Sequence, residues 1–179
     1  MVKRIKVNFD TVEAMLFFWQ TTNDREKVTE KYLNDVAGME GFKFTYDEEF
    51  DGESVRRAMS AVSNREPFQS KSKKEGRFWN NNLWMMEDLE YPNSMLQPIK
   101  KLNLDTIIDE LNSVKGSKDY ETIEVFFVPF HTEEYIISGN KLITNFFRVR
   151  PDFVEEKTFI GELEITDFIK EKIIELLSK

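Results

Sequence analysis

Eight residues from Ile123 to Phe130, IEVFFVPF, constrain this chain more than any other stretch. All but Glu124 are apolar, and β-branched and aromatic types dominate. A run of that length and composition suits a strand buried on both faces, so the chain must supply cover above and below it. Pro129 removes a backbone donor and marks the end of the strand or an edge position. The residues that follow continue the theme. Tyr135-Ile136-Ile137 reads as a second short strand and Leu142 to Val149 as its return, closed by Pro151. Gly139-Asn140 is the turn between them, because Gly takes φ > 0 without steric cost and Asn tolerates it. On the return strand Leu142, Thr144, Phe146 and Arg148 share one face.

Helical signals surround these strands. Lys3 to Phe9 alternates like a strand. Asp10 with Glu13 then has the spacing of a capping box, ahead of Val12, Met15, Leu16 and Trp19 at helical intervals. Asp24 reads as the cap of a second helix that ends near Ala37 and Gly38. Phe42 to Tyr46 alternates and predicts a half-buried strand. Glu53 to Asn64 predicts a helix with Val55, Ala58, Met59 and Val62 inward. Leu104 to Val114 predicts another, stopped by Gly116. Thr158 to Ile160 reads as a strand and Ile165 to Leu177 as a terminal helix. Helices, then strands, then a helix give an α+β fold. Its sheet is expected to be mostly antiparallel, to include the hairpin around Gly139-Asn140, and to be flanked by helices.

The chain has 179 residues and 16 Phe, enough for one globular domain over 1–179 with a sizeable core. Residues 63–77 are polar and predict a mobile loop within it. There is no Cys, which excludes disulfides and thiolate metal sites. MVKRIKVNF has basic residues but no apolar run behind them, so no signal peptide is expected. No stretch approaches the ~20 apolar residues of a membrane span. A cytoplasmic location and no membrane contact follow as expectations. The formal net charge of −8 disfavours a large anionic partner and favours a basic one.

Motifs for chemistry are weak. Asp47-Glu48-Glu49-Phe50-Asp51-Gly52 resembles the opening of a calcium loop, but Ala58 stands where the bidentate Glu is needed. An acidic turn capping the next helix is the plainer reading. His131 is the single histidine. A neighbouring carboxylate could make it an acid/base group, although a turn residue is the commoner role. Pro151-Asp152 with Glu155-Glu156-Lys157 has the letters of a metal-dependent nuclease site, yet the spacing is too tight to bring both carboxylates to one metal. No G-x-S-x-G elbow or phosphate-cradling loop occurs. No catalytic residue, metal or cofactor is assigned.

One segment stands out for binding. Arg65 to Arg77 carries five bases against Glu66 and Glu75. Lys71, Lys73, Lys74 and Arg77 lead into Trp79 and Trp84. Cations beside aromatic planes are what single-stranded nucleic acid requires, and Arg148 with Arg150 could extend the patch. The first expectation is a non-enzymatic protein–protein interaction over Phe68 to Met86. A single-stranded nucleic-acid binder is the second, opposed by net charge. A hydrolase with carboxylates assembled from distant segments is the third.

Overall fold

The computed structural model describes residues 1–114, 116 and 118–179. Strand β1 (Arg4–Asn8) leads into seven helical segments: α1 (Asp10–Asn23), α2 (Glu30–Ala37), α3 (Glu40–Lys43), α4 (Gly52–Asn64), α5 (Lys73–Glu87), α6 (Glu90–Lys100) and α7 (Ile108–Ser113). A 3-10 turn at Asp105–Ile107 precedes α7. Strands β2 (Thr122–Val128), β3 (Tyr135–Ser138), β4 (Lys141–Asn145), β5 (Val149–Asp152), β6 (Lys157–Ile160) and β7 (Leu163–Glu164) follow, and α8 (Ile165–Ser178) closes the fold. The class is α+β.

The apolar run 123–128 is the centre of the larger sheet, ordered β1-β2-β4-β3. Ile123 and Val125 to Val128 are all buried, which is the two-sided burial that their composition demands. β2 lies parallel to both β1 and β4, while β3 and β4 form the expected hairpin with Gly139 at φ 59. β5, β6 and β7 make a separate antiparallel sheet. Among the described residues, three of the five strand pairings are antiparallel; the two parallel ones are those that β2 makes with its neighbours on either side.

The return strand is shorter than its alternation suggests. It stops at Asn145, the chain turns through a 3-10 segment at Phe146–Arg148, and Val149 enters the second sheet. Asn145 causes the break. Its Oδ1 accepts from Phe130 N and Phe147 N, and its Nδ2 donates to the carbonyls of His131 and Glu133. Pro151 lies within β5, at a sheet edge where its missing N–H costs nothing.

Other expectations shift for local reasons. Residues 42–46 form no strand. Gly41 packs so closely that a Cβ would stand 2.5 Å from Thr11 Oγ1 and 2.8 Å from Val128 Cγ2. That approach turns the chain helical, with Phe42 and Thr45 buried and the Thr45 hydroxyl donating to Phe42 O. Asp24 ends α1 instead of starting α2, whose cap is Thr29, accepting from Tyr32 N. Asp10 is the first residue of α1, and no side chain caps that helix. The 104–114 helix is split into the 3-10 turn and the short α7. The polar segment 63–77 is helical at both ends, since α4 reaches Asn64 and α5 begins at Lys73.

Among the described residues no helix is long and apolar enough to cross a membrane.

Candidate functional site

α4 and α5 lie side by side and point the same way. The first turns of both helices line one cleft, of about 420 Å³, and their last turns line another, of about 730 Å³. Two consecutive helices can be parallel only if the link returns along their length. α4 has 13 residues, a rise of about 20 Å at ~1.5 Å each. The link from Arg65 to Ser72 spans up to about 26 Å when extended, so it has the reach to run back as a strap. Phe68 pins it. Its ring stacks on Trp79 at 6.0 Å, and the Arg57 guanidinium stands 5.1 Å over it. Arg57 Nη2 also donates to Gln69 O at 2.8 Å.

The cleft at the N-terminal end is polar. Glu48, Glu49, Asp51, Glu53 and Glu75 surround Arg57 and Lys71. Carboxylates suit this place, because the partial positive ends of two helices meet there. Asp51 and Ser54 form a capping box on α4, and Ser72 caps α5. Glu75 is 5 % exposed and fully engaged. It accepts from Ser54 Oγ at 2.6 Å, Lys71 N at 2.8 Å and Arg57 Nη1 at 3.1 Å. Burial pushes its carboxyl up, but those hydrogen bonds and the Arg57 charge outweigh burial and hold it below the ordinary range. A general acid requires the reverse shift. The carboxylates a hydrolase would need do converge here, yet the one that is buried serves to join two helices. Asp47 lies beside them, paired with Lys74 and accepting from the N–H groups of Glu49 and Phe50, so the calcium-like stretch folds as a turn that caps α4.

The cleft at the C-terminal end is apolar at its base. Trp79, Leu83 and Met86, spaced i, i+4 and i+7 on α5, face Ala61 and Val62 of α4 and Pro67 of the strap. This is a second apolar stripe on α5. The first holds Phe78 and Met85, buried on either side of the buried Asn82, whose Oδ1 accepts from Trp19 Nε1 at 2.7 Å. Among the described residues the buried Trp79 indole N–H has no acceptor and the buried hydroxyl of Thr22, whose carbonyl accepts from Arg65, has no partner. Asn23, Arg25, Arg65, Glu66 and Glu87 form the rim. Trp84, one residue beyond the stripe, is 60 % exposed.

The residues singled out from sequence divide between these features. Lys73, Arg77 and Trp84 are exposed on one face of α5, at i, i+4 and i+11. Lys71 lines the acidic cleft, Lys74 is bound to Asp47, and Trp79 lines the apolar cleft. Arg148 donates to Thr132 O at 2.7 Å, and Arg150 lies 5.1 Å over the Phe159 ring and donates to Gly161 O. Arg150 makes its contacts within the second sheet, whereas Arg148 holds the loop between β2 and β3, whose His131 and Glu133 lie near enough to Lys74 of α5 for their charges to interact.

His131 is 1 % exposed and both ring nitrogens are occupied. Nε2 bonds Thr45 O at 3.0 Å and Nδ1 accepts from Glu133 N at 3.4 Å. Burial pushes its pKa down, which keeps the ring neutral. Asp152 pairs with Lys157 across the β5–β6 ladder, and its Oδ1 holds the turn through Val154 N and Glu155 N.

Sequence reasoning missed Arg25 and took Val62 as core; Leu83 and Met86 fall within the expected contact segment Phe68 to Met86 but were not singled out as a stripe. A signal for the stripe was available, since 79, 83 and 86 have helical spacing; the run Asn80-Asn81-Asn82 and the preceding polar segment hid the helix. No protein-family model, curated protein or solved structure matches this chain.

Proposed function

We propose that this chain is an acidic, cytoplasmic, non-enzymatic interaction protein that receives a protein partner on α5, at the apolar cleft and the adjoining Trp84. One observation carries this reading. A stripe of Trp79, Leu83 and Met86 is left open on a helix whose core-facing stripe is already satisfied. Large apolar side chains in a cleft rimmed by charges of both signs are what a protein interface places at its centre.

A second reading has its own support. Lys73, Arg77 and Trp84 share one exposed face, so two cations and an indole could follow a single strand of nucleic acid over about 16 Å, at ~1.5 Å per residue. Five carboxylates at the helix start oppose it.

Affinity capture from a native lysate, with and without nuclease, separates the two. The first reading expects a protein that survives nuclease, is retained by the wild type and is lost from Leu83→Ser/Trp84→Ser. Nucleic acid that elutes with a steep salt dependence and is lost from Lys73→Ala/Arg77→Ala would replace it with the second.

A further inference from the structure

We infer that Arg25 and Arg65 form a clamp for a carboxylate that the protein partner carries beside an apolar side chain, an inference that rests on the α5 cleft being the docking site. α1 and α4 end alike. Asp24-Arg25-Glu26 follows one helix and Asn64-Arg65-Glu66 closes the other. In each, the Glu N–H returns to a carbonyl five residues back: Glu26 N to Thr21 O at 3.0 Å and Glu66 N to Ala61 O at 2.9 Å. In each, the arginine holds the left-handed position of that motif, at φ 63 and φ 56. Glycine is the usual occupant there, because a side chain in that conformation costs on the order of 1 kcal/mol. Among the described residues only Glu156 is a third non-glycine at positive φ. Two of three such positions therefore meet at one cleft, and both carry a guanidinium.

The polar groups around the cleft leave donors unused. The Arg25 side chain has no partner among the described residues. Arg65 gives one N–H to Thr22 O at 3.3 Å, which leaves most of its five donors. The buried Trp79 N–H has no acceptor among the described residues. Two guanidinium forks and an indole N–H call for an anionic acceptor, and a carboxylate matches the fork. Val62, Leu83 and Met86 would receive the apolar side chain next to it. Glu66 and Glu87 on the rim, with the negative ends of three helices, offset much of the arginine charge. The site is consequently suited to one carboxylate and not to a polyphosphate.

The test follows the tryptophan indole N–H signals of the full chain by NMR, with Trp79 assigned through Trp79→Phe. The probes are N-acetyl-leucine, which has a terminal carboxylate, N-acetyl-glutamyl-leucinamide, which has a side-chain carboxylate, and the neutral N-acetyl-leucinamide. At least one acid is expected to shift the Trp79 signal saturably, at least tenfold more tightly than the neutral amide, and which acid does so identifies the source of the carboxylate. Arg25→Gly and Arg65→Gly should each weaken that acid about tenfold while leaving the spectrum folded, since glycine accepts the left-handed position. Equal binding of the amide and the acids, or acid binding unchanged in both glycine variants, would overturn the clamp and leave the docking site standing. No response of Trp79 to any probe would overturn both.

Discussion

The two ends of the α4–α5 pair are built from opposite materials. At the N-terminal end the groups between the helices are paired: Asp51 and Ser72 cap the helices, and Glu75 receives three donors. At the C-terminal end none of the helices α1, α4 and α5 has a basic residue in its last turn, two arginines hold left-handed backbone, and an indole N–H is buried alone. Parallel helices bring like dipole ends together, so both ends need compensation. One end obtains it from Asp51 and Glu75, both held by hydrogen bonds. The other has arginines that stay largely free. The contrast teaches that one end is organised for stability and that the other keeps unused donors and open apolar surface.

The comparison is most exposed to attack at Glu75. Glu75→Ala should lower stability by about 3 kcal/mol, because it strips Arg57, Ser54 and Lys71 of a buried acceptor at once. Urea denaturation with an unchanged m value would measure it; a loss under about 1 kcal/mol would show that the polar end is not the fixed one. Next in size are two substitutions of equal magnitude and opposite sign. Asp51→Ala should cost about 1 kcal/mol through the lost cap, whereas Arg25→Gly should gain about 1 kcal/mol by removing an unfavourable φ. If both destabilise, the arginine position carries no strain worth relieving.

Acid titration sharpens the same contrast. His131 and Glu75 both have folded pKa values below their ordinary ones, so each contributes stability that is present at higher pH and lost as pH falls. The His131 part should decline from its ordinary 6.5 downward and vanish in His131→Gln. The Glu75 part should decline below 4.5 and shrink in Glu75→Gln. The smallest effect is expected at Trp84, where Trp84→Ser should change stability by less than about 0.5 kcal/mol and act on partner binding alone.

How far these features are legible in the sequence depends on what encodes them. α8 could be read from its apolar spacing alone, and α4 from apolar spacing together with the acidic turn that caps it. The Gly139 hairpin was equally clear, because glycine announces positive φ. Residues 42–46 misled because alternation fits a strand while the decisive fact, the absence of a Cβ on Gly41 facing Thr11 and Val128, is tertiary. The parallel setting of α4 and α5 was hidden for a similar reason: a polar segment that runs back as a pinned strap has the same composition as one that floats. Arg25 and Arg65 gave no local signal, as arginine does not advertise left-handed backbone. Their shared Arg-Glu step becomes meaningful only once both helix ends are seen at one cleft.

The pairing of β1 has a consequence for how the chain is made. Arg4 lies opposite Thr122 and Asn8 opposite Phe126. β1 must therefore wait for β2, its neighbour in the sheet among the described residues, until the seven helices between them have emerged. α1 to α7 form in the interval, and their early local contacts come before the long-range closure, which carries the largest loop entropy. In that interval β1 is an unpaired strand beside a helical assembly. Its alternate Arg4, Lys6 and Asn8 keep that edge polar on one face and guard it against pairing with a second nascent copy.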